Sequence, residues 1–570
     1  MLKRAKLPAQ KAIPQYKLNE ATLEEPELAM ENLDPVSFEI LKNSLISIAE
    51  EMGVVLRRSS FSPNIKERRD FSCALFDVSG QLVAQAEHIP VHLGAMPYAV
   101  KAVLKEFEDD LSEGDDIILN DPYRGGTHLP DITMVSPIFF KDRLVGFAAN
   151  RAHHSDVGGV APGSMSAISR DVSQEGIRIP PVKLWAEGKP NRQLLDFVLT
   201  NVRTPDERLG DLRAQRAANL VGAKRLVELL KKSGVSTVES GMSQLINYSE
   251  ELMDKRIREL PRKSSSAIDY LDDDGLGTTD IPIKVKVTVG QESVAFDFSG
   301  SSKQVQGPLN AVYSVTLSAV YYVIRCVTDP SIPANAGCFK PIEVKAPSGT
   351  IVNAEPPAPV AGGNVETSTR IVDVTLKAFS SIIPERVCAA CQGTMNNVTI
   401  GGVDPRTGNY FTYYETIAGG FGARHNKDGV DGIHSHMTNT LNTPVEALES
   451  AYPLRVRRYE LVRGSGGRGR SRGGLGIRRD TEVLAEGSTI SLMGERQRRG
   501  PYGLFGGKSG SPGTYGIIRG NRITSLSSKT TLSANSGDVL TVTTPGGGGY
   551  GTASRRTKES ITQDTADGKA

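Results

Sequence analysis

Two short histidine–aspartate clusters are the residues of this chain best suited to chemistry. They are His128-Leu-Pro-Asp131 and His153-His-Ser-Asp156, and they hold three of the eight histidines of the 570-residue sequence. Each cluster follows a segment with the pattern of a β-strand, so both could lie at strand ends and face one point. Imidazole and carboxylate groups are common ligands of Zn²⁺, Mn²⁺ and Fe²⁺. The pattern therefore predicts a divalent metal site.

The spacing within the clusters suggests which side chains bind the ion. His128 and Asp131 are three residues apart, and His153 would complete a set of three ligands that leaves positions open for water or substrate. Asp156 is a candidate fourth ligand, or a catalytic carboxylate that orients an imidazole. Neighbouring side chains of an extended segment point opposite ways, so only one of His153 and His154 is expected to face the ion. The alternative is that these histidines satisfy the backbone of loops.

Two further groups of histidines have weaker patterns. His88 and His92 are four residues apart, which suits the wall of an active site, and either is a candidate general base; structural hydrogen bonding is the alternative. His425, His434 and His436 lie beside the glycine-rich residues 419–422. For this last group we expect a structural role.

Three other motifs favour structural interpretations. Cys388 and Cys391 have the spacing of a redox motif or half a zinc site, but no second pair of that spacing occurs, so two buried thiols are expected. Nine arginines lie within residues 455–479, where RNA binding is possible but a turn or a partner contact is favoured. The glycine loops at 361–364 and 545–551 lack a Walker lysine, so we expect no ATP site in this chain.

The elements that must position the candidate residues can be read from the hydrophobic pattern. Asp34 and Pro35 begin a helix whose apolar face includes Leu41, Leu45, Ile48 and Met52. The remaining predicted elements are strands at 71–77, 81–86, 116–120, 132–140 and 143–152, helices at 91–109 and 308–328, two helices within 206–260 that break near Gly234, and a hairpin that begins near 281.

These elements predict an α+β fold, with mixed sheets, packed helices and a β-rich C-terminal half, because no regular βαβ repeat occurs. The predicted regions are a flexible N-terminal arm (1–33), an α+β region with the metal site (34–205), a helical region (206–280), a β-rich region (281–551) and a disordered tail (552–570).

Composition restricts the class of protein. The net charge is +2, so no global field favours nucleic acid or a membrane surface. No apolar run approaches the ~20 residues of a membrane span, and no apolar segment follows the N-terminal Met-Leu-Lys-Arg, so neither a membrane anchor nor a signal peptide is expected. Five cysteines fit a reducing compartment. We expect a cytoplasmic protein that binds neither nucleic acid nor membrane.

Many separate motifs together resemble those of the hydantoinase B/oxoprolinase B-subunit family, which includes subunits of acetone and acetophenone carboxylases. The resemblance covers about residues 34–551. The stretches that carry it are Asp34-Pro-Val-Ser-Phe-Glu-Ile, Glu67-Arg-Arg-Asp-Phe-Ser-Cys-Ala-Leu-Phe-Asp77, Ala86-Glu-His-Ile-Pro-Val-His-Leu-Gly94, Asn120-Asp-Pro-Tyr-Arg-Gly-Gly-Thr-His-Leu-Pro-Asp131, His153-His-Ser-Asp-Val-Gly-Gly159, Gln174-Glu-Gly-Ile-Arg-Ile-Pro-Pro181, Gly362-Gly-Asn-Val-Glu-Thr-Ser368, Asn442-Thr-Pro-Val-Glu446 and Arg472-Gly-Gly-Leu-Gly476.

The resemblance implies a division of labour between two subunits. An ATP-binding A-type partner phosphorylates a cyclic amide oxygen or a ketone enolate, and the B-type chain completes the reaction at a divalent metal such as Zn, Mn or Fe. The family's metal ligands correspond to His128, Asp131 and His153. From their positions, Arg124 and Arg151 are candidates to hold the leaving phosphate.

The function expected from this resemblance is that of a B-type subunit of an ATP-dependent cyclic-amide hydrolase, similar to hydantoinases and 5-oxoprolinases, in a hetero-oligomer with the A-type subunit. The local motifs around the metal ligands resemble the hydrolase branch. One alternative is a subunit of a ketone carboxylase of the acetone or acetophenone type. A weaker alternative is an RNA-binding protein that uses residues 455–479.

Overall fold

The computed structural model describes residues 33–86 and 88–569, so the predicted N-terminal arm lies almost wholly outside the described residues. The first helix begins as predicted, because the carboxylate of Asp34 accepts hydrogen bonds from the backbone N–H groups of Val36 and Ser37, with Pro35 in the first helical position. The elements up to residue 204 are α1 (Pro35–Ser59), α2 (Pro63–Lys66), β1 (Phe71–Phe76), β2 (Leu82–Ala86), α3 (Ala95–Glu106), β3 (Asp116–Leu119), β4 (Asp131–Phe140), β5 (Arg143–His153), β6 (Val182–Ala186), β7 (Lys189–Pro190) and α4 (Arg192–Thr200).

These seven strands form one antiparallel sheet in the order β2-β1-β5-β4-β3-β6-β7. Alternate residues of β1 point to opposite faces: Cys73 and Leu75 join the core formed with α1, while Ala74 and Phe76 pack with α3. Both faces of the sheet are therefore covered by helices, and the central strands β4 and β5 are buried except at the ends where they join, near residues 139–144.

Two long helices follow. They are α5 (Pro205–Ser233) and α6 (Val235–Arg258), and they break at Gly234, whose φ of +85° is one that L-residues rarely adopt. The predicted helical region ends earlier than expected, at residue 258, because β8 (Ser264–Asp273) occupies part of 206–280. Its first residues are polar and mostly exposed, so no apolar alternation marks this strand in the sequence.

The second sheet and its helices form the middle of the chain. β8, β9 (Thr279–Val289), β10 (Val294–Asp297) and β11 (Ile342–Lys345) form a sheet in the order β11-β10-β9-β8. The helices of this part are α7 (Tyr313–Val327), α8 (Ala336–Phe339) and α9 (Ser368–Phe379), and a π-helical turn at Gly363–Thr367 leads into α9. The apolar helix predicted at 308–328 corresponds to α7.

The C-terminal part is rich in strands, as predicted. Its elements are β12 (Asn397–Val403), β13 (Tyr410–Glu415), α10 (Val445–Ala451), β14 (Leu454–Leu461), β15 (Ile477–Val483), β16 (Ser488–Met493), β17 (Thr514–Arg519), β18 (Arg522–Leu526), β19 (Lys529–Ala534) and β20 (Val539–Thr543). They form sheets in the orders β13-β12-β16-β19 and β14-β15-β20-β17-β18, and residues of both sheets share one apolar core. The whole is an α+β fold, which confirms the predicted class.

Glycine-rich segments at 419–422, 464–476, 500–513 and 545–551 pack backbone against backbone; we call them the glycine bundle. The N–H of Gly547 donates to the carbonyl oxygen of Gly474 at 2.9 Å, and the N–H of Gly474 donates to that of Phe421 at 2.8 Å. A Cβ added to Gly547 would lie 2.1 Å from the carbonyl oxygen of Phe421. Glycine is needed here because the backbones of these segments lie too close together for any side chain to fit between them.

The arginine-rich segment 455–479 belongs to β14, β15 and the glycine bundle. Six of its nine arginines form ion pairs with carboxylates of the same chain. Arg479, for example, is buried against Glu415 at 2.8 Å. The ion pairs offset much of the positive charge that RNA phosphates would need.

The prediction of a disordered tail needs correction. Residues 552–569 contain a short turn and the helix α11 (Lys558–Ala566). The guanidinium of Arg556 lies 2.8 Å from Asp428 and 2.7 Å from Asp564. These ion pairs hold the polar tail without apolar burial, so no hydrophobic periodicity revealed it in the sequence. No helix among the described residues is long and apolar enough to cross a membrane.

Candidate metal centre

The sheet brings the two histidine–aspartate clusters together. Asp131 is the first residue of β4, His153 is the last residue of β5, and the two are direct cross-strand partners. His128 lies in the tight turn just before β4, where the N–H of Asp131 donates to the carbonyl oxygen of His128 at 3.1 Å. This turn places His128 beside Asp131 and His153. Gly126 is needed just before it, because a Cβ there would lie 2.3 Å from the carbonyl oxygen of Asn120.

The side chains of His128, Asp131 and His153 converge on one point. One potential ligand atom of each lies within 4.8 Å of the others, and all three residues are buried. Nε2 of His128 is 3.2 Å from Oδ1 of Asp131. The three side chains are thus close enough to share one ion.

Unpartnered atoms at the centre fit a metal. Nε2 of His128 and Nε2 of His153 are buried and have no hydrogen-bond partner. Nδ1 of His128 lies 3.3 Å from the carbonyl oxygen of Ala361, to which it can donate, and this leaves Nε2 free as a ligand. Buried polar nitrogens are seldom left unpaired, so the donor set suits a divalent cation.

The electrostatics of the centre favour the protonation states that bind metals. Although burial opposes it, the neighbouring imidazoles of His128 and His92 hold the pKa of the Asp131 carboxyl well below its usual range. Burial, together with the nearby His128, lowers the pKa of His153 well below that of a free imidazole. An ionised carboxylate beside a neutral imidazole is the form in which both groups bind a metal.

A second layer of side chains supports these residues. The ring of Tyr414 stacks on His153 with centroids 4.6 Å apart and planes at 10°. The amide nitrogen of Asn64 lies 3.1 Å from Nδ1 of His153 and so orients the ring. Thr127 donates its hydroxyl hydrogen to Oδ2 of Asp131 at 2.9 Å. The three candidate ligands are therefore positioned by residues from separate segments of the chain.

A small cavity adjoins the centre. It measures about 20 Å³, which is room for one ion or one water, and it is lined by Asp70, His92, Asp131, His153, Asn364 and Tyr414, among others. Burial raises the pKa of Asp70 in this wall to about 7.

The two histidines predicted as general bases lie in different places. His92 is buried, with Nε2 3.6 Å from Oδ2 of Asp131 and Nδ1 2.9 Å from the hydroxyl of Ser72. His88 is half-buried and packs on Phe71, with ring centroids 4.7 Å apart. Of the two, His92 lines the cavity and His88 does not.

The two arginines predicted to bind phosphate, Arg151 and Arg124, also lie in different places. Arg151 is fully buried on β5, two residues before His153, where Nε donates to Thr133 at 2.7 Å while Nη1 has no partner. Arg124 is on the surface and pairs with Glu106 at 2.6 Å. It does not line the cavity, because its loop turns it toward α3.

Asp156 and His154 do not join the three converging side chains. The carboxylate of Asp156 accepts hydrogen bonds from the N–H groups of Gly158 and Gly163 and from Arg203, so it organises the loop after β5. Nε2 of His154 lies 2.9 Å from Oε1 of Gln215 on α5, on the opposite side of the strand from His153. His153 is thus the member of the adjacent pair that faces the centre.

Asp70, Asn364 and Tyr414 are among the residues of the site that were not singled out from the sequence. Asp70 and Asn364 lie within stretches that carry the family resemblance, but neither stands in a metal-ligand pattern. Tyr414 is one of several aromatic residues of β13, and its stacking on His153 depends on packing between distant segments. Only the shared motifs could have pointed to the first two.

Known proteins resemble this chain over most of its length. Residues 34–553 match the family described as hydantoinase B/oxoprolinase. A Pseudomonas sp. protein named as the B-type subunit of a D-/L-hydantoinase is 35% identical over 95% of this chain and 93% of its own length. The 5-oxoprolinase 1 of Arabidopsis thaliana is 39% identical over 92% of this chain, which spans only 42% of that longer protein.

Two solved structures share the fold. The ATP-dependent caprolactamase of Pseudomonas jessenii superposes with a TM-score of 0.88 over 94% of both chains, at 29% identity. An acetone carboxylase structure also gives a TM-score of 0.88, over 94% of this chain and 78% of the other, and at 20% identity it shows a common fold alone. Because the family match covers nearly the whole chain, the chain belongs to the hydantoinase B/oxoprolinase family.

Proposed function

We propose that this chain is the B-type subunit of an ATP-dependent cyclic-amide hydrolase and opens a ring amide that an A-type partner activates with ATP. The observation that carries the proposal is the buried, converging set of His128, Asp131 and His153, in a chain related to a hydantoinase subunit and to 5-oxoprolinases. The shared fold of the caprolactamase, at 29% identity, supports a lactam as the class of substrate.

His128, Asp131 and His153 would hold a divalent ion such as Zn²⁺, Mn²⁺ or Fe²⁺. When bound, such an ion supplies Lewis acidity, which polarises oxygen ligands and lowers the pKa of water toward ~7. The residues around it orient these ligands: Thr127 fixes the Asp131 carboxylate, and Tyr414 and Asn64 hold the His153 ring.

His92 is the residue best placed to move a proton. Its Nδ1 lies 2.9 Å from the hydroxyl of Ser72, which orients the ring in the wall of the cavity. Its Nε2 lies 3.6 Å from Oδ2 of Asp131, too far for a hydrogen bond, and can accept a proton. We assign it the removal of a proton from the attacking water. Arg151 contributes a buried positive charge beside Asp131, whereas Arg124 and His88 have no role in the proposal.

The reaction balances with two waters. The partner transfers the γ-phosphoryl group of ATP to the amide oxygen, which makes the amide carbon a better electrophile. Water adds to this carbon, the ring C–N bond breaks as the nitrogen takes a proton, and a second water releases phosphate from the acyl phosphate. One lactam, one ATP and two waters thus become one amino acid, ADP and phosphate.

The cavity is too small for a lactam ring, so the surrounding side chains must move apart for substrate to enter. The glycine loops at 361–364 and 545–551 lack a Walker lysine, which supports assigning ATP binding to the A-type partner. The isolated chain is therefore expected to show neither ATP hydrolysis nor ring opening.

The test is a reconstitution with the A-type chain from the same source. The complex is supplied with ATP, a divalent metal and a panel that includes 5-oxoproline, hydantoins and small lactams, and ADP and ring-opened acid are measured. We expect ring-opened product and ADP in equal amounts, and neither when the partner is omitted. Incorporation of labelled bicarbonate into a ketone would instead identify a carboxylase, and ATP hydrolysis by the chain alone would refute the two-subunit proposal.

A further inference from the structure

A second group of metal-ligand side chains is buried outside the centre described above. Cys388 and Cys391, which follow α9, and His436, from the loop between β13 and α10, each offer a ligand atom within 4.8 Å of the others. The two cysteines are free thiols, and all three residues are buried. The histidine is 45 positions beyond Cys391, so no short sequence motif joins them.

His436 lacks the partners that a buried imidazole normally has. Neither of its ring nitrogens makes a hydrogen bond, although its side chain is only 1% exposed. Its ring is enclosed by Tyr322 and Phe421, at centroid distances of 5.8 and 5.6 Å. Burying an unpaired polar group costs free energy, and a ligand bound to this ring would offset that cost.

The backbone at His436 is also unusual. Its φ is +57°, in the left-handed region that residues with a Cβ seldom adopt. Non-glycine residues in this region often lie at functional sites, where the surrounding structure maintains the strain. The imidazole on this backbone has a ring nitrogen within 4.8 Å of the sulfur atoms of both thiols.

Two neighbours resemble the supports of a metal site. Oδ1 of Asp373 lies 3.3 Å from Nε2 of His436, without the alignment of a hydrogen bond, while its Oδ2 accepts from Arg496 at 2.8 Å. The N–H of Gly422 points at the sulfur of Cys391 at 3.3 Å. A carboxylate behind a ligating imidazole and an N–H donor to a sulfur both stabilise metal ligands.

We propose that Cys388, Cys391 and His436 bind a zinc ion, with Asp373 as the residue that positions the imidazole. Two thiolates and one imidazole are a zinc donor set and fill three of four tetrahedral positions, which leaves the fourth for water. The donors differ from those of the His128 centre, which has no sulfur. The ion would tie the segment after α9 to the loop that precedes α10, and the chain would carry two different metal sites.

Cobalt substitution tests this assignment selectively. Co²⁺ bound to thiolate has an intense near-ultraviolet charge-transfer absorption that a site of imidazole and carboxylate lacks. The purified full-length chain is stripped of metal under reducing conditions and titrated with Co²⁺ and then with Zn²⁺. We expect the thiolate band in the wild-type chain and in His128→Ala, its loss in Cys391→Ser, and its bleaching by added Zn²⁺.

Cys73→Ala is the matched control, because Cys73 is equally buried but belongs to the core beneath α1. This variant should keep the band, while Cys391→Ser should bind one zinc fewer per chain. Folding of each variant is checked by circular dichroism, and the wild-type spectrum alone remains decisive if Cys391→Ser does not fold. Absence of the band in the folded, reduced wild-type chain would overturn the proposal, as would a Cys388–Cys391 disulfide in the chain purified without oxidant.

Discussion

The glycine bundle gives a prediction whose magnitude can be worked from the structure. In Gly547→Ala, the added Cβ would lie 2.1 Å from the carbonyl oxygen of Phe421, whereas ordinary contact begins near 3.4 Å. The segment must therefore withdraw by more than an ångström. Such a shift would stretch two hydrogen bonds, from the N–H of Gly547 to Gly474 and from the N–H of Gly467 to Gly547, which are 2.9 and 2.8 Å long.

The expected cost follows from these contacts. Two backbone hydrogen bonds contribute ~1 kcal/mol each, and overpacking adds ~1–3 kcal/mol, so the free energy of unfolding should fall by about 3–5 kcal/mol. With an unfolding entropy of ~2.1 cal/mol/K per residue, this lowers the melting temperature by about 3–4 °C if the chain unfolds as one unit.

Differential scanning calorimetry of the purified chain measures this shift. The matched control is Gly516→Ala in β17, where the added Cβ would approach no atom closer than 3.2 Å. Its neighbours need to give by only a few tenths of an ångström, so the control should melt closer to the wild-type chain than Gly547→Ala does. Equal melting temperatures for Gly547→Ala and Gly516→Ala would refute the close backbone packing from which the cost is derived.

Three further predictions concern buried charges and catalysis. Asp269→Asn removes the carboxylate that lies 2.7 Å from the buried Arg496, so the free energy of unfolding in urea should fall by about 3–5 kcal/mol. A change near zero would contradict the buried ion pair. Burial raises the pKa of Glu366 from 4.5 to about 8, and its Oε2 has no hydrogen-bond partner, so the protonated carboxyl contributes its full stability below pH 4.5 and the contribution is lost as the pH rises toward 8. The free energy of unfolding of Glu366→Gln, measured in urea at several pH values, should therefore fall less over this range than that of the wild-type chain. An equal fall in both proteins would be inconsistent with a neutral buried acid. His92→Gln should keep its metal but lower the kcat of the reconstituted complex by ~10²–10⁴, whereas His425→Gln should leave it unchanged; normal turnover in His92→Gln would exclude the proton-transfer role.

The fold class and the positions of the candidate ligands could be predicted because they depend on local patterns. The Asp34–Pro35 start of α1 follows from capping, and the apolar runs that became β4 and β5 end beside Asp131 and His153. Side-chain alternation along a strand also explains why His153 and His154 separate. These features are encoded within a few residues of one another.

The remainder depends on contacts between distant segments. β8 begins with exposed polar residues, and α11 is held by ion pairs of Arg556, so neither carries an apolar period. In the sequence Cys388 and Cys391 resemble two structural thiols, and only the folded chain places His436 beside them. No spacing rule connects residues that meet only through tertiary packing.

Spacing and the family resemblance together predicted the converging ligands better than sequence position predicted the roles of neighbouring residues. Both indicated His128, Asp131 and His153, and these side chains do converge. Arg124 and Asp156, in contrast, were chosen by their position in the sequence near the clusters. Their side chains face Glu106 and Arg203, because a loop can turn neighbouring residues in different directions.

The metal content of His128→Ala tests the central claim most directly. The wild-type chain, His128→Ala and His154→Gln are each loaded with Mn²⁺ or Zn²⁺, freed of unbound ions, and analysed by mass spectrometry for ions per chain, with circular dichroism to verify folding. We predict that His128→Ala binds one ion fewer than the wild-type chain while His154→Gln, whose side chain faces Gln215, binds the same number. Equal metal content in folded His128→Ala and wild-type protein would contradict the assignment of this centre.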